Sequence, residues 1–313
     1  MNHLITLNEW SPARIGRVID LALDVKRRPE AYRRAMEGLT LAMIFEKPSL
    51  RTRVSFETGC TQMGGHAIYY DMTQSPLGAG KESVQDTAKV LSRYVDAIMA
   101  RLFSHRVMRQ LARHAEVPVI NGLTDDAHPT QVLAYLMTIR EKKGRLNGRR
   151  LAYFGDGNNN VTHSLLIGCA RTGLHIAVAC PDDPALAPRP AVLRQAAAAA
   201  RRSGATVRVV HDAAAAARGA DVVYTDSWMS YHIDPARANE RIRAFKPFQV
   251  TAALMKKARR DAIFMNCLPA LRGYEQTAEV IDGPQSVVYD EAENRLHMHK
   301  AILLELMGKA EGC

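Results

Sequence analysis

Residues 39–63 read LTLAMIFEKPSLRTRVSFETGCTQM. Leu39 to Phe45 is a short, nearly continuous apolar run, the pattern of a strand covered on both faces. Pro48 withholds a backbone donor and stops such a strand, Ser49 suits a helix N-cap, and Ser49 to Met63 carries a helical pattern. Strand, tight turn and helix in this order make half of a crossover unit, and chains assembled from such units form parallel sheets.

The order recurs downstream. Strands are predicted at His66 to Asp71, Asp96 to Arg101 and Val117 to Asn121, followed by helices at Glu82 to Tyr94, Val107 to His114 and His128 to Lys142. A second series has strands at Leu151 to Phe154, His175 to Ala179, Val207 to Val210, Val222 to Thr225 and Ile263 to Cys267, with helices at Asn160 to Thr172, Ala191 to Arg202 and Asp212 to Arg218. The expected fold class is α/β, two doubly wound parallel-sheet domains with the active site in the cleft between them, and ligands at the C-terminal ends of strands. The charged, glycine-punctuated stretch 141–148 sets the expected border, giving domains 1–144 and 145–289. A last helix, within residues 290–308, is expected to pack back on the first domain.

Composition narrows the function. The 313 residues are 47% hydrophobic and 24% charged, a balance suited to folded globular domains. No run is long and apolar enough for a membrane span, and Met1 to Trp10 lacks the pattern of a secretion signal, so a cytoplasmic protein without membrane partners is expected. The net charge of +10 favours anionic ligands, but aromatics are only 6% and basic clusters are short, so nucleic acid is not the expected partner. Cys60, Cys169, Cys180, Cys267 and Cys313 are odd in number and show no metal-ligand spacing. Reduced thiols follow, and Cys267 alone stands where a strand end faces a cleft.

Polar residues concentrate at the predicted strand ends. Ser49, Arg51 and Thr52 sit where a helix start offers unpaired N–H groups and a positive dipole end, a cradle for phosphate. Arg101, then His128 with Gln131, stand at equivalent ends, and Arg295 begins the last helix. In the second series, Gly155-Asp156-Gly157 superficially matches a dinucleotide turn but has Asn160 where a third glycine belongs. Asn160 instead suits an α-amino acid, since an amide both donates and accepts. Asp226 and Cys267 end neighbouring strands, an acid and a thiol fit for a cationic amine; an ordinary cap and a core cysteine are the plainer alternatives.

Together, Phe45 to Arg53, Arg101 with Phe103-Ser104-His105, His128-Pro129-Thr130-Gln131, Gly155 to Asn159, Asp226 to Ser230, Cys267-Leu268-Pro269 and Asp290 to Arg295 resemble, in order and over nearly the whole chain, the ornithine carbamoyltransferases. The resemblance implies transfer of a carbamoyl group from carbamoyl phosphate to the δ-amine of L-ornithine, giving citrulline and phosphate within arginine metabolism. It implies no metal and no organic cofactor. Ser49, Leu50 through its backbone, Arg51, Thr52, Arg101, His128, Gln131, Cys267, Leu268 and Arg295 would bind carbamoyl phosphate. Asn160, Asp226, Ser230 and Tyr231 would receive ornithine, with Arg101, His128, Asp226 and Cys267 as the catalytic set. It further implies a homotrimer or a multiple of trimers, with Lys81 as a possible contact to a neighbouring subunit's site.

Six positions depart from the family pattern. Tyr231-His232 stand in place of Met-Gly, Asn266 in place of His, Leu271 in place of a second His, Tyr135 in place of Asp, and Leu50 in place of Thr. Most lie on the acceptor side, which leaves open a carbamoyltransferase for another amine, such as putrescine or a modified ornithine, and a catalytically silent paralogue. A nicotinamide-dependent oxidoreductase resting on the Gly155 turn is a further class, distinguished by retention of NAD.

Overall fold

The computed structural model describes residues 2–229 and 233–310, and the chain divides into two compact units. Unit 1 comprises residues 1–137 and 293–313, unit 2 residues 138–292. In order, the elements are α1 (Pro12–Arg27), β1 (Thr40–Phe45), α2 (Leu50–Gln62), β2 (His66–Asp71), α3 (Val84–Tyr94), β3 (Ala97–Arg101), α4 (His105–His114), β4 (Val119–Leu123) and α5 (Pro129–Lys143). Then follow β5 (Arg150–Phe154), α6 (Asn160–Thr172), β6 (His175–Ala179), α7 (Pro190–Ser203), β7 (Val207–Val210), α8 (Ala213–Ala217), β8 (Val222–Thr225), α9 (Ala238–Phe245), α10 (Ala252–Met255), β9 (Ile263–Asn266), α11 (Ala278–Ile281) and α12 (Val288–Leu306). The chain leaves unit 1 inside α5 and returns to it inside α12.

Unit 1 holds a four-stranded parallel sheet in the order β2-β1-β3-β4. All of β3 and β4 and nearly all of β1 are buried, which accounts for their unbroken apolar runs, whereas β2 lies at the edge and is largely exposed. Ala42, Ile44, Ile98 and Ala100 pack with Met108 and Leu111 of α4 in the core. Unit 2 holds a five-stranded parallel sheet ordered β7-β6-β5-β8-β9, cored by Ala152, Phe154, Ala177, Val223 and Phe264. In each sheet the chain starts at an inner strand, goes to one side, and returns to the other. The crevices beside β1 and β5 are therefore the switch points where such sheets bind ligands.

The predicted strands and helices match these elements within a few residues. Helix α1 was not predicted; its Pro12 at the first turn and Ser11 cap, whose side chain accepts from Arg14 N, are ordinary helix-start signals. Among the described residues, no helix is long and apolar enough to cross a membrane.

The turn after β5 requires glycine. Gly155 has φ +121°, and a Cβ there would lie 3.0 Å from Trp228 Nε1 and 3.3 Å from its Cδ1. Gly155→Ala is expected to lower the unfolding free energy by about 1–3 kcal/mol in urea titrations. Gly144→Ala, at φ +74° with nothing within 4 Å, is expected to cost only about 1 kcal/mol.

Candidate active site

The end of β1 in unit 1 carries the residues that the sequence predicts to cradle an anion. Ser49 is extended, at φ −160° and ψ 119°, and its Oγ accepts from Thr52 N at 3.3 Å, so it caps α2 as the sequence predicts. The remaining first-turn N–H groups have no helical partner by construction. Leu50 points its side chain to solvent at 71% exposure, which leaves its backbone as the useful part. Arg51 is half-buried, and its Nε is buried with no hydrogen-bond partner. Thr52 is fully buried, and its Oγ1 accepts from Arg295 Nη2 at 2.6 Å. That bond joins α12 to the start of α2 across 243 residues of sequence.

Two further strand ends complete the unit 1 half-site. Arg101 ends β3, is paired in register with Phe45 of β1, and is buried. Its carbonyl accepts from Glu46 N at 2.9 Å, while Glu46 Oε2 accepts from Phe103 N at 2.7 Å, so the turns after β1 and β3 hold one another. His128 is buried just before α5, and its carbonyl accepts from Val132 N. Burial pushes the imidazole well below its usual pKa, and the positive charges of Arg295 and Arg101 push in the same direction. His128 is therefore held neutral by burial and by the charges of two guanidinium groups. Gln131, three residues on, is buried and donates to the Tyr135 hydroxyl, which gives that departure from the family pattern a structural role. Lys81 is exposed on the loop between β2 and α3.

Sequence reasoning missed two groups beneath this half-site. Lys47 is 5% exposed, bonds Asp125 at 2.8 Å and lies 4.1 Å over the Phe103 ring; burial lowers its pKa. His299 lies one helical turn after Arg295, just as Ser55 follows Arg51. Ser55 Oγ donates to the Arg51 carbonyl at 2.5 Å and so must accept from His299 Nδ1 at 2.8 Å. The ring stacks on Phe56 with centroids 3.8 Å apart, and burial again holds it neutral. The i, i+4 spacing from two predicted site residues was the available signal.

Unit 2 brings a different chemistry to its own strand ends. Asn159 caps α6 through its side chain, which makes Asn160 the first helical residue, half-exposed at the end of β5. Asp226 follows β8, and Cys267 follows the neighbouring β9. Asp226 is 7% exposed, and its Oδ1 accepts from Ser227 N and from Cys267 Sγ, both at 2.7 Å. The acid and thiol singled out in the sequence are thus in direct contact. Cys60, Cys169 and Cys180, by contrast, are buried, with thiols raised by burial, to about 11 in Cys60 and Cys180.

The turn after Cys267 explains Asn266. Leu268 has φ 53°, unusual for a bulky side chain, and the Leu268–Pro269 peptide is cis. Asn266, fully buried, accepts from Leu268 N at 2.8 Å through Oδ1 and donates Nδ2 to Gln276 Oε1 at 3.1 Å. Leu271 is 56% exposed, with its N–H donated to Glu275. Ser230, Tyr231, His232 and Cys313 lie outside the described residues.

Known proteins resemble the chain over nearly its whole length. The family profile for the aspartate/ornithine carbamoyltransferase carbamoyl-P binding domain matches residues 2–141, and that for the Asp/Orn binding domain matches residues 147–306. The chain is 49% identical over 305 residues to the ornithine carbamoyltransferase of Anoxybacillus flavithermus, covering 97% of this chain and 96% of that one. Against the same enzyme of Methanothermobacter thermautotrophicus it is 51% identical over 308 residues, covering 98% and 99%. The solved ornithine carbamoyltransferase from Pyrococcus furiosus superposes with a TM-score of 0.93 at 47% identity, covering 98% of this chain and 97% of that chain.

Neutral buried histidines set the acid limb of stability. Burial depresses His128 and His299 in the folded protein, so each adds stability that is complete above the unfolded pKa of about 6.5 and fades as pH falls below it. His299→Gln keeps a donor for Ser55 but cannot take up the proton. Its unfolding free energy, from urea titrations between pH 7.5 and 5, should fall less steeply than that of the wild type by up to about 1.4 kcal/mol per pH unit. Equal slopes would place a charged His299 in the folded state.

Proposed function

The chain belongs to the aspartate/ornithine carbamoyltransferase family, and from that premise we propose how its two half-sites divide one reaction. It is an enzyme that transfers the carbamoyl group of carbamoyl phosphate to the δ-amine of L-ornithine, giving L-citrulline and phosphate. The observation that carries the reading is the burial of Arg101, His128 and Arg295 in one unit, with Arg295 hydrogen-bonded to Thr52 at the start of α2.

Carbamoyl phosphate is assigned to unit 1. Ser49, the Leu50 backbone, Arg51, Thr52 and Arg295 take the phosphate, where permanently charged guanidinium groups favour both the bound dianion and the phosphate that leaves. Arg101, His128 and Gln131 take the carbamoyl group. As the amine attacks, a C–N bond forms, the carbonyl oxygen gains negative charge, and donors from Thr52, Arg101 and His128 stabilise it. A neutral imidazole still carries one ring N–H, which can donate to the oxygen as its negative charge develops. Collapse breaks the bond from carbon to the phosphate oxygen, the electron pair leaves with the phosphate, and the departing phosphate takes up the amine proton.

Ornithine is assigned to Asn160, Asp226, Ser230 and Tyr231, with Cys267 and Leu268 between the two ligands. An alkyl ammonium of pKa ~10.4 is protonated at pH 7, so exposing its lone pair costs about 4–5 kcal/mol. Asp226 attracts and orients the amine, and the adjoining Cys267 thiol limits how strongly the carboxylate favours the charged form, because it already occupies Oδ1. The first test offers ornithine, putrescine, N-acetylornithine, lysine and aspartate separately with carbamoyl phosphate, following phosphate release and product mass. Citrulline formed fastest from ornithine is expected. Arg51→Ala should lose turnover together with thermal protection by carbamoyl phosphate, whereas Asp226→Asn should impair ornithine use and leave that protection intact. Loss of both functions in Asp226→Asn would mean that its role is structural.

The active form is a homotrimer or a multiple of one, acting in the cytoplasm within arginine biosynthesis. An apolar surface on unit 1 supports the assembly: Leu50, Val54, Ile68 and Tyr69 are 37–71% exposed beside the open edge of β2, and Tyr94 is 75% exposed. Such an edge invites pairing or cover by another copy. Lys81, on the exposed loop between β2 and α3, is assigned to a neighbour's site. Light scattering should give about three times the chain mass of 34.6 kDa, or a multiple of that. Tyr69→Asp should shift the mass toward the single chain.

A further inference from the structure

The segment that carries Asp226 is gripped by residues with no assigned role. Trp228 N donates to Glu275 Oε1 at 3.2 Å, and Glu275 Oε2 accepts from Leu271 N at 3.1 Å. On the other side of the same residue, the Trp228 carbonyl accepts from Arg241 Nε at 2.8 Å. Arg241 Nη2 in turn donates to Asp156 Oδ2 at 2.5 Å. Asp156 closes the turn after β5, its Oδ1 accepting from Asn158 N at 2.9 Å and its carbonyl from Asn159 Nδ2 at 3.0 Å and Thr162 Oγ1 at 2.9 Å.

Three charged side chains are buried to make these contacts: Asp156 and Glu275 are 2% exposed and Arg241 is 4%. Burial, reinforced by the negative charge of Asp226, raises the Glu275 carboxyl, while the backbone N–H groups it receives pull it down. Buried charges are costly unless each is paired or hydrogen-bonded, and here each one holds a backbone turn. The Trp228 ring is packed as well, against Phe245 with centroids 5.8 Å apart. A residue held at its N–H, its carbonyl and its ring has few ways to move.

We propose that Glu275 and Arg241 are positioning residues that lock the three acceptor-side turns, 155–160, 226–229 and 267–271, into one register. Their hydrogen bonds end on Trp228, Asp156 and Leu271, none of which is assigned to the reacting atoms. Through Trp228 they fix the path of the chain two residues from Asp226, and through Asp156 and Leu271 they carry that constraint to the turns of Asn160 and Cys267. The proposal rests on the assignment of those three residues to ornithine. A misplacement of about 1 Å in such a set can cost on the order of a hundredfold in rate.

The test uses the full chain with Glu275→Gln, Arg241→Lys, their double variant, and Asp226→Asn in parallel. Glutamine offers one acceptor where two N–H donors wait, and lysine cannot bridge Trp228 and Asp156 as a guanidinium does. Each single variant should raise the ornithine KM by about tenfold or more while the Kd for carbamoyl phosphate, measured by calorimetry, stays within about twofold. The double variant should be little worse than the poorer single one, because both act through one residue, Trp228. An unchanged ornithine KM, equal losses toward both substrates, or additive effects would overturn the proposal. If Asp226→Asn alone leaves the ornithine KM unchanged, the Asp226 assignment fails and the clamp is judged on its own variants. Should a clamp variant not fold, hydrogen exchange on the wild type decides: Trp228 and Leu271 amides should exchange at least about a hundredfold more slowly than free peptide, and exchange at the free rate refutes the clamp.

Discussion

Both half-sites depend on a parallel strand that starts inside its sheet. Because crossovers return every strand in the same direction, all the turns that follow strands lie along one edge, and the first strand has a neighbour on each side that leads away from it. In unit 1 this puts the start of α2, the end of β3 and the approach to α5 beside one another; in unit 2 it does the same for the ends of β5, β8 and β9. The chemistry on these edges is local side-chain choice laid over a shared backbone arrangement. The same topology carries guanidinium groups in one unit and an acid with a thiol in the other.

The electrostatics of the two edges differ in kind. Around His128 the permanent charges of Arg101 and Arg295 act together, and both lower its pKa. On the unit 2 edge the charges are largely internal: Asp156 is matched by Arg241, Glu275 is spent on peptide N–H groups, and Asp226 holds Cys267. That pattern makes the edge a set of hydrogen-bonded groups rather than of accumulated charge. A donor side made of fixed charge and an acceptor side made of oriented dipoles also differ in what they tolerate, since charge acts over several ångströms while hydrogen bonds demand geometry.

Much of this was legible in the sequence because apolar runs and caps are local signals. The strand at β1, its Pro48 stop and the Ser49 cap could be read directly, and the contact of Asp226 with Cys267 followed from their places at ends of strands that prove to be neighbours. What escaped was the layer beneath. Lys47, His299, Arg241 and Glu275 are polar residues in segments that look solvated, and only the tertiary fold reveals that each is buried. Their partners lie far away in sequence: 78 residues separate Lys47 from Asp125, 244 separate Ser55 from His299, and 85 separate Arg241 from Asp156. No periodicity registers contacts at that range. Helix α1, with a good cap and an amphipathic pattern, was instead a local signal left unread.

The departures on the acceptor side look different once the contacts are known. Asn266 stands where the family pattern has histidine, and its side chain does two things: it accepts the Leu268 N–H and donates to Gln276. A neutral imidazole has the same inventory, one acceptor and one donor on opposite sides of a flat group. The exchange therefore preserves the hydrogen-bonding role that holds Leu268 at φ 53°, provided the residue facing the donor can accept, as the Gln276 amide does. Leu271 contributes to the same turn through its backbone, which is indifferent to the lost imidazole, and Tyr135 supplies a hydroxyl to Gln131. Three of the changes thus fall on scaffold rather than on ligand. With those three accounted for, the remaining departures on the acceptor side are Tyr231 and His232, which directly follow the Asp226 to Ser230 motif in the sequence.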